Sequence, residues 1–420
     1  MTKANVLQEL EWRGFVQQAT PGLAAHVAKG PVTAYCGFDP TAPSLQLGNL
    51  MPLMLLANLQ RGGNRPIVLM GGGTGLIGDP SGKAGERPLL SKEQIRENLQ
   101  RQRDQMARFL EFGAGPTAAL LLDNAKWLGS QGLIDFLRDV GKHFTVNIML
   151  QKESVKARLE AGLSFTEFSY MLLQAYDFLH LFRERQCTLQ VGGSDQWGNI
   201  TAGVDLIRRI ENAEAHGLVA PLVTMASGKK FGKTEEGAIY LDPKLTSPYR
   251  LYQFWINVDD RDVEGYLKLF TLKTKPDIDE LIAKHRNDPA ARGAQKALAT
   301  DVTGRVHGDA GGNAMVASEI LFGDFDPQAA NDQAFDTLAA EIPTSALPRG
   351  DLSLVDAVVR AGLAKSKSEA RRAIEQGGIY VNQQRAPNAD HAIGDRDWIA
   401  GRNLLLRKGK KDYALLRREG

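Results

Sequence analysis

Short apolar runs alternate with longer helical patterns over the first 245 residues. The runs that predict buried strands are Val32–Cys36, 66–70, Thr188–Val191 and Leu218–Thr224. The segments that predict helices are Leu50–Gln60, 90–111 and Phe165–Phe182. Buried strands that alternate with helices are typical of a parallel sheet. The pattern therefore predicts an α/β domain over residues 1–245.

Two further regions follow the predicted α/β domain. Residues 246–342 have helical patterns, and the first of these opens with Ser247 followed by a proline, as many helices begin. Residues 343–351 contain two prolines and a glycine and predict a linker. Residues 352–420 then predict a small separate α+β domain.

Chain length and cysteine content limit the possible classes of protein. A chain of 420 residues with 43% hydrophobic content is too long for one core, so two or three domains are expected. Cys36 and Cys187 cannot form a disulfide framework, and they lack the spacing of zinc ligands. A reducing cytoplasm is the compartment that fits them. The segment Met1–Gly14 has no apolar core, so neither a signal peptide nor a membrane span is expected.

Positive charge is concentrated in the last domain. The net charge of the chain is +2, yet residues 351–420 hold fourteen Lys and Arg against nine Asp and Glu. This asymmetry indicates a polyanion partner, with a solvated basic face as the alternative. Ser366 and Glu369 have the spacing of a capping box that opens a helix in this domain. The candidate contacts are Lys365, Lys367, Arg371, Arg372, Lys408, Lys410 and Lys411.

The segment Tyr35–Asn49 runs from a predicted strand through a turn at Asp39-Pro40 into a helix. Such a turn places backbone N–H groups and a helix N-terminus at the carboxyl edge of the strand, where phosphates bind readily. We interpret it as a nucleotide site. The alternative is an ordinary strand–turn–helix unit.

A glycine-rich loop, Gly71–Gly78, follows the next predicted strand. Its spacing Gly73-x-Gly75-x-x-Gly78 matches the dinucleotide fingerprint, so an NAD enzyme must be considered. The fingerprint requires a helix at its last glycine, whereas Asp79-Pro80-Ser81-Gly82 breaks any helix there. We therefore expect the loop to bring backbone close to a ligand and to present Asp79.

The helix predicted over Phe165–Phe182 is apolar on almost every side. Tyr170, Gln174 and Asp177 are the exception, and their spacing places them on one face. Polar groups on a buried helix require partners. They could form an internal hydrogen-bond network, or they could bind a small molecule that carries an ammonium and a hydroxyl group.

Two more loops carry candidate chemistry. Asp195 and Gln196 follow the strand Thr188–Val191, where Asp195 can accept hydrogen bonds from a ribose or simply form a turn. The basic loop Ser227–Thr234 could close over phosphates or could be an ordinary surface loop.

Three motifs resemble those of bacterial-type tyrosyl-tRNA synthetases, which are class I aminoacyl-tRNA synthetases. They are Tyr35–Ala42, Gly192–Asn199 and Lys230–Thr234, in the order of that family. The resemblance extends over nearly the whole chain. It implies a Rossmann-like parallel-sheet catalytic domain, an α-helical anticodon-stem domain and a small α+β RNA-binding domain. One signature differs, because Gln46-Leu47-Gly48-Asn49 stands where the family has His-x-Gly-His.

The resemblance also implies roles for individual residues. Tyrosine would be bound by Tyr35, Asp79, Tyr170, Gln174, Asp177, Gln190 and Gln196. ATP would be bound by Cys36, Gly37, Asp39, Thr41, Gly48, Gly193, Asp195, Leu222, Val223 and Lys233. The catalytic residues would be Gln46, Asn49, Lys83, Arg87, Lys230, Lys233 and Thr234, with the two amides as substitute hydrogen-bond donors for the histidines. The basic residues of the last domain would bind tRNA.

The implied reaction joins L-tyrosine to AMP from ATP, releases pyrophosphate and then transfers tyrosine to the 3′ end of tRNA(Tyr). Mg²⁺ is expected to accompany ATP, and no protein-bound metal is expected. The segment Leu133–Leu150 carries more apolar residues than one helix would bury, and in the family this region resembles a homodimer interface. Plain core packing is the alternative for it.

Other functions stay open at this point. A noncatalytic paralogue that binds tyrosine or RNA in a regulatory role would explain the missing histidines. It would not need phosphate-binding lysines such as Lys83, Lys230 and Lys233, which the chain retains. A tryptophan-specific synthetase is disfavoured by Tyr35 and Asp177 together and by the tail domain. An NAD oxidoreductase has only the glycine spacing in its favour.

Overall fold

The structure is a computed structural model of the 420-residue chain. It describes residues 6–81, 90–152, 155–156, 159, 162–235, 237–348, 350 and 352–418.

A six-stranded sheet forms the centre of the first part of the chain. Its strand order is β1-β6-β5-β2-β3-β4, and every neighbouring pair is parallel except β1 with β6. This order confirms the predicted Rossmann-like parallel sheet. The strands are β1 (Gln18–Ala19), β2 (Thr33–Phe38), β3 (Arg65–Met70), β4 (Leu120–Asp123), β5 (Cys187–Gly193) and β6 (His216–Ala220).

Helices connect these strands and cover the sheet. Helix α1 (Val6–Arg13) precedes the first strand, and the helices between strands are α2 (Leu23–Ala28), α3 (Leu50–Arg61), α4 (Lys92–Met106), α5 (Ala125–Leu128), α6 (Leu133–Asp139), α7 (Val146–Leu150), α8 (Phe165–Arg185) and α9 (Trp197–Glu211). Side chains of a strand point alternately to its two faces. Tyr35, Ile67 and Leu69 accordingly pack with α8 and α9 in one buried cluster.

Helices α8 and α9 approach each other closely because a glycine lies at their contact. A Cβ on Gly203 of α9 would lie 3.0 Å from Phe178 Cδ1 and 3.5 Å from Ala175 Cα, both on α8. The polar residues of α8 are therefore held on a helix that packing fixes in place.

The chain divides into two compact units, Met1–Thr246 with Val258–Leu298, and Ser247–Asn257 with Ala299–Gly420. The first unit also contains a two-stranded hairpin and two more helices. These elements are β7 (Lys233–Thr234), β8 (Gly237–Ala238), α11 (Asp260–Phe270) and α12 (Lys275–Asn287). Helix α13 (Gly293–His307) spans the division between the units.

The second unit contains helices, a five-stranded sheet and a two-stranded sheet. Its helices are α10 (Pro248–Ile256), α14 (Asp309–Phe322), α15 (Asp332–Glu341), α16 (Leu354–Arg360) and α17 (Lys367–Glu375). Its strands are β9 (Thr344–Leu347), β10 (Leu352–Ser353), β11 (Ile379–Val381), β12 (Gln384–Arg385), β13 (Ala392–Ile393), β14 (Asn403–Lys408) and β15 (Asp412–Arg418). The five-stranded sheet has the order β12-β11-β14-β15-β9, and the two-stranded sheet consists of β10 and β13. Ser366 caps α17 by accepting from Glu369 N, whereas Glu369 Oε2 accepts from the backbone N–H of Lys365 and not from that of Ser366, so half of the predicted capping box forms.

The predicted linker contains a strand of this sheet. The sequence predicts a linker over 343–351, but β9 pairs in parallel with β15 at the edge of the five-stranded sheet. The backbone groups of these residues thereby find partners that the local proline and glycine content does not reveal. The division of the chain into three domains, 1–245, 246–342 and 352–420, stays a prediction.

None of the described helices is both long enough and apolar enough to cross a membrane.

Candidate active site

A cavity of about 400 Å³ opens at the carboxyl ends of the parallel strands. Its lining residues come from the segments that follow β2, β3, β4, β5 and β6 and from one face of α8. Crevices at this edge are where open parallel sheets bind ligands. The predicted residues that line it are Tyr35, Cys36, Gly37, Asp39, Thr41, Gln46, Gly48, Asn49, Asp79, Tyr170, Gln174, Asp177, Gln190, Gly193, Asp195, Gln196 and Leu222.

A buried carboxyl group lies on the α8 side of the cavity. Asp177 Oδ1 accepts a hydrogen bond of 2.7 Å from the indole of Trp127, and Oδ2 accepts one of 2.8 Å from the amide of Asn124. Burial raises the pKa of Asp177 to about 7, against the lowering effect of these two donors. The cavity thus contains a buried carboxyl group that can change its protonation state near neutral pH.

Two buried polar atoms near this carboxyl group have no hydrogen-bond partner among the described residues. They are the hydroxyl of Tyr35 and Oε1 of Gln190. These residues are direct neighbours on the adjacent strands β2 and β5. Burial raises the pKa of Tyr35 well above its ordinary value, so its hydroxyl stays protonated and can donate. Because both residues also line the cavity, a ligand there could supply the missing partners.

A second carboxylate lies where β2 ends. Asp39 accepts a hydrogen bond of 2.9 Å from the Tyr170 hydroxyl and one of 2.8 Å from Thr74 Oγ1. Burial, followed by the charge of Asp39, raises the pKa of Tyr170 well above its ordinary value. Tyr170, which the family resemblance groups with Asp79, therefore bonds directly to Asp39.

Amide side chains connect the remaining polar residues of the cavity. Gln196 Nε2 donates to Asp79 Oδ2 over 2.7 Å, and Gln174 Nε2 donates to Gln196 Oε1 over 3.2 Å. Asn199 Nδ2 in turn donates to Gln174 Oε1 over 2.9 Å. The polar stripe on α8 thus takes part in an internal network and also lines the cavity, and its role in binding a small molecule stays a prediction.

The segment that replaces the family's histidines forms a 3₁₀ turn at the N-terminus of α3. Asn49 Oδ1 accepts a hydrogen bond of 2.8 Å from the backbone N–H of Gln46. The amide of Asn49 is therefore oriented, and its Nδ2 is left to donate. Both side chains line the cavity.

Cys36 and Gly193 lie at the β2 and β5 edge of the cavity. Burial raises the pKa of Cys36 to about 12, so the thiol is neutral and is no nucleophile at neutral pH. A Cβ at Gly193 would lie 2.6 Å from Asp195 Oδ1, so glycine is required for the carboxylate to fold back over the strand end.

Several predicted residues do not line the cavity. Val223 lies beyond the end of β6 at Ala220, and only its neighbour Leu222 contributes to the lining. Lys230, Lys233 and Thr234 are exposed on the basic loop. The predicted residues Lys83 and Arg87 lie outside the described residues.

The basic loop nevertheless packs against the segment beside the cavity. A Cβ at Gly232, where φ is +73°, would lie 3.0 Å from Leu47 Cβ and 3.6 Å from Gly48 N. Ile239 N donates to Gly232 O, and Leu47 N donates to Ile239 O, both over 2.9 Å. The two motifs are thus joined by backbone contacts.

The structure adds site residues that the sequence does not single out. Asn124 and Trp127 hold Asp177, Thr74 holds Asp39, and Asn199 holds Gln174. Asn124 directly follows β4, so its position at the carboxyl end of a strand would have been a usable signal. The short strand β4 itself lies outside the strands that the apolar pattern predicts.

The predicted tRNA-binding residues divide into two groups. Lys367 pairs with Asp356 at 2.7 Å, Arg371 with Asp390 at 3.0 Å, and Lys408 with Glu369 at 2.9 Å. The ammonium of Lys408 also donates to Leu363 O, so this residue holds the small domain together. The residues for which the described chain shows no side-chain ion pair are Lys365, Arg372, Lys410 and Lys411.

Comparisons with known proteins give the family. The family model of "tRNA synthetases class I (W and Y)" matches residues 28–322, and that of the "Tyrosine--tRNA ligase SYY-like C-terminal domain" matches residues 334–416. A tyrosine–tRNA ligase of Roseiflexus castenholzii is 54% identical over 98% of this chain and 99% of its own. The chain belongs to the tyrosyl-tRNA synthetase family.

Other tyrosyl-tRNA synthetases are similar to this chain in sequence or in structure. The tyrosine–tRNA ligase of Geobacillus stearothermophilus is 50% identical over 98% of this chain and 99% of its own. A C-terminally truncated mitochondrial tyrosyl-tRNA synthetase of Aspergillus nidulans is a solved structural neighbour, with a TM-score of 0.69 and 31% identity over 76% of this chain and 94% of its own. These findings confirm the predicted family, fold class and ligase, and they favour the enzyme over a noncatalytic paralogue.

Proposed function

We propose that this tyrosyl-tRNA synthetase chain activates L-tyrosine with ATP in the cavity and then transfers it to tRNA(Tyr). The observation that supports this best is the pair formed by the ionisable Asp177 carboxyl and the unpartnered Tyr35 hydroxyl. A tyrosine hydroxyl donates to the carboxylate, which Trp127 and Asn124 already orient, and accepts from Tyr35, whose hydroxyl has no other partner among the described residues. Phenylalanine would leave the Tyr35 hydroxyl unpaired, and an unpaired buried polar group costs about 1–3 kcal/mol.

The other end of the amino acid meets the polar residues where the strands end. The ammonium group of tyrosine donates to Asp79, to the hydroxyl oxygen of Tyr170 and to Oε1 of Gln174. Gln196 already donates to Asp79, and it orients this acceptor as well as facing the substrate carboxylate. The amino acid is thereby fixed at both ends, with its carboxylate toward the nucleotide.

Adenylate formation needs no protein nucleophile. An oxygen of the tyrosine carboxylate attacks the α-phosphorus of ATP, a new O–P bond forms, and the bond to the departing pyrophosphate breaks. The chain contributes position and charge stabilisation. Cys36 is a neutral thiol and serves as a contact for the ribose, beside Asp195 and Gly193. The hydroxyl group at the 3′ end of tRNA then attacks the tyrosyl carbonyl, and AMP leaves.

Hydrogen-bond donors and cations stabilise the phosphates during this step. Gln46 and Asn49 donate from the N-terminus of α3, in place of the two histidines. Lys230, Lys233 and Thr234 approach from the basic loop, and Lys83 and Arg87 are assigned the same role by family resemblance. Mg²⁺ is expected to arrive bound to the phosphates of ATP. Among the described residues no cluster of His, Cys, Asp or Glu is arranged to hold a metal ion.

Substitution of Asn49 and Gln46 tests whether their amide side chains replace the two histidines as hydrogen-bond donors. Asn49→Asp keeps the oxygen that accepts from Gln46 N but replaces the donor by a negative charge beside the phosphates. We expect at least a hundredfold lower kcat/KM for ATP in tyrosine-dependent exchange of labelled pyrophosphate into ATP, at about 1.4 kcal/mol per decade. Gln46→Ala should lower the same constant about tenfold, the value of one neutral hydrogen bond to a phosphate.

Tyrosine affinity, and exchange with phenylalanine or tryptophan as substrates, serve as controls. Unchanged exchange in Asn49→Asp and Gln46→Ala would exclude the donor role, and absence of tyrosine-dependent exchange in the parent chain would exclude the enzyme.

A homodimer is proposed from exposed apolar side chains in the predicted interface region Leu133–Leu150 and at the N-terminus of α8. Leu133 is 71% exposed, Ile134 is 72% exposed and Phe165 is 79% exposed. Apolar side chains of this size are left exposed together mainly at interfaces. Sedimentation of Phe165→Asp should show a shift from dimer to monomer. Phe322→Asp is the control, since the Phe322 side chain is 67% exposed in the other unit.

A cytoplasmic location stays a prediction.

A further inference from the structure

The basic loop Ser227–Thr234 and the three residues before it form one segment, residues 224–234, which is called the loop below. This segment is attached to helix α11 at three points. Tyr266 donates from its hydroxyl to Thr224 O over 2.9 Å, at the beginning of the loop. Asp262 Oδ2 accepts from the backbone N–H of Ala226 over 2.8 Å. The ring of Phe231 stacks on that of Phe270 with centroids 5.2 Å apart and an interplanar angle of 2°.

Phe231 separates the loop into a buried side and a cationic side. Its ring is 7% exposed and also meets Tyr266, with centroids 5.2 Å apart at an angle of 65°. Lys230 and Lys233, one on each side of the Phe231-Gly232 pair, are exposed. Burial of the aromatic ring therefore determines where the two ammonium groups emerge from the loop.

Gly232 contacts a second neighbour of the loop, on the side of the Phe231-Gly232 pair opposite α11. It packs against Leu47 and Gly48, with the close approach and the positive φ that only glycine tolerates well. Phe231-Gly232 is thus clamped between α11 and the segment that carries Gln46 and Asn49. Movement of either support would move both lysines relative to the cavity.

Helix α11 is itself fixed to the first helix of the chain. The guanidinium of Arg13 donates to the backbone carbonyls of Lys268, Thr271 and Lys273 over 2.9, 3.0 and 2.7 Å. The carbonyl of Lys268 lies in the last turn of α11, where the helix provides no internal partner for it, and those of Thr271 and Lys273 follow the end of the helix. Arg13 is 2% exposed, so this attachment lies within the core. The support of the loop therefore extends into the body of the catalytic unit.

We propose that Asp262 and Tyr266 are positioning residues for the loop lysines in tyrosine activation. They contact no substrate; they act through the loop backbone, which places Lys230 and Lys233 to meet the charge that develops on pyrophosphate as it departs. This inference rests on the proposed function. It adds a helix remote from the cavity lining to the parts on which the activation step depends.

Two variants each remove one of the two hydrogen bonds that attach the loop to α11. Tyr266→Phe deletes only the hydroxyl that bonds to Thr224 O and keeps the ring contact with Phe231. Asp262→Ala deletes the acceptor for Ala226 N, whereas Asp262→Asn keeps an oxygen there and serves as the rescue. Glu264→Gln is the control on the same helix, since Glu264 pairs with Lys268 and Arg286 and not with the loop.

We expect Tyr266→Phe and Asp262→Ala to lower kcat for pyrophosphate exchange about tenfold, equivalent to about 1.4 kcal/mol, and to raise KM for ATP. The dissociation constant of tyrosine should not change, and Asp262→Asn and Glu264→Gln should behave as the parent chain. Unchanged kcat and KM for ATP in both variants would overturn the proposal. A parallel loss of tyrosine binding and of thermal stability would also overturn it, because that result describes a merely structural role.

Hydrogen exchange separates this proposal from the proposed function. Amides of residues 224–234 should exchange faster in Tyr266→Phe and Asp262→Ala than in Glu264→Gln, whatever the activity of the chain. Faster loop exchange in a chain that catalyses no pyrophosphate exchange would refute the function and leave the attachment intact. Equal exchange rates in an active chain would refute the attachment alone.

Discussion

The indole Nε1 of Trp127 donates a hydrogen bond of 2.7 Å to Oδ1 of Asp177, within the interior of the first unit. Asn124 supplies the second donor, to Oδ2 at 2.8 Å. The carboxyl group is thus held in one orientation before any ligand is present. Preorganisation of this kind lowers the cost of ordering a site when the ligand binds.

Removal of the indole donor should weaken tyrosine binding. Trp127→Phe keeps an aromatic ring beside His180, with which the indole stacks at 4.2 Å between centroids, but removes the hydrogen bond to Asp177. A hydrogen bond to a charged group contributes about 1.5–3 kcal/mol, so we expect roughly 10- to 100-fold weaker tyrosine binding. Equilibrium dialysis with labelled tyrosine measures this, and Trp398→Phe in the other unit is the control. Unchanged affinity would show that Asn124 alone orients the carboxylate.

Tyrosine affinity should depend on pH through Asp177, whose pKa burial raises to about 7. The ionised carboxylate is the acceptor for the substrate hydroxyl, so affinity should fall as pH decreases below about 7, at a limit of about tenfold per unit. Asp177→Asn should bind weakly without this slope. Titration from pH 5.5 to 8.5 tests the prediction, and an equal slope in the two chains would contradict it.

The same carboxyl group should leave a signature in stability. The carboxyl group of an unfolded aspartate has a pKa of about 3.9, whereas burial raises the pKa of Asp177 in the folded chain to about 7. Between these values the folded state binds more protons than the unfolded state, so the free energy of unfolding should fall as pH rises. Asp177→Asn should lack this decrease, and its stability relative to the parent chain should increase from pH 4 to pH 7. Urea unfolding of both chains measures the difference.

Two glycines of the basic loop provide a matched pair. Gly232 and Gly228 both have positive φ, +73° and +76°, but only a Cβ at Gly232 would meet another residue, Leu47 Cβ at 3.0 Å. In each alanine variant, strain of the left-handed backbone should lower the free energy of unfolding by about 1 kcal/mol. Gly232→Ala should in addition displace the loop and lower kcat for pyrophosphate exchange at least tenfold. A tenfold decrease corresponds to an activation free energy that is higher by about 1.4 kcal/mol. Equal effects of the two variants would show that strain alone matters.

Salt dependence should separate the cations of the small domain. Lys411 is exposed and has no ion pair among the described residues, whereas Lys408 is used within the domain. If Lys411 contacts a phosphate, Lys411→Gln should reduce the slope of log affinity for tRNA against log salt by about 1. Lys29→Gln, an exposed lysine of the first unit, should leave the slope unchanged. Filter binding at several salt concentrations makes the comparison, and equal slopes in both variants would exclude Lys411.

Local patterns were enough to predict several elements of the fold. The apolar runs that predict β2, β3 and β5 and the helices α3 and α8 depend on side-chain periodicity, which each segment carries by itself. Ser366 and Glu369 likewise form their cap from residues three apart. The end of β6 was predicted four residues too late, because the sequence there stays apolar although pairing with β5 ends at Ala220.

The sequence by itself determined the alternation of central strands and helices, the motifs and hence the family, and the face of α8 that carries Tyr170, Gln174 and Asp177. Only the tertiary structure decided the partners of these side chains. Asn124 reaches Asp177 across 53 residues, and Tyr170 reaches Asp39 across 131. The physical reason is that periodicity orients a side chain on its own element, whereas packing of distant elements selects the atom that it meets.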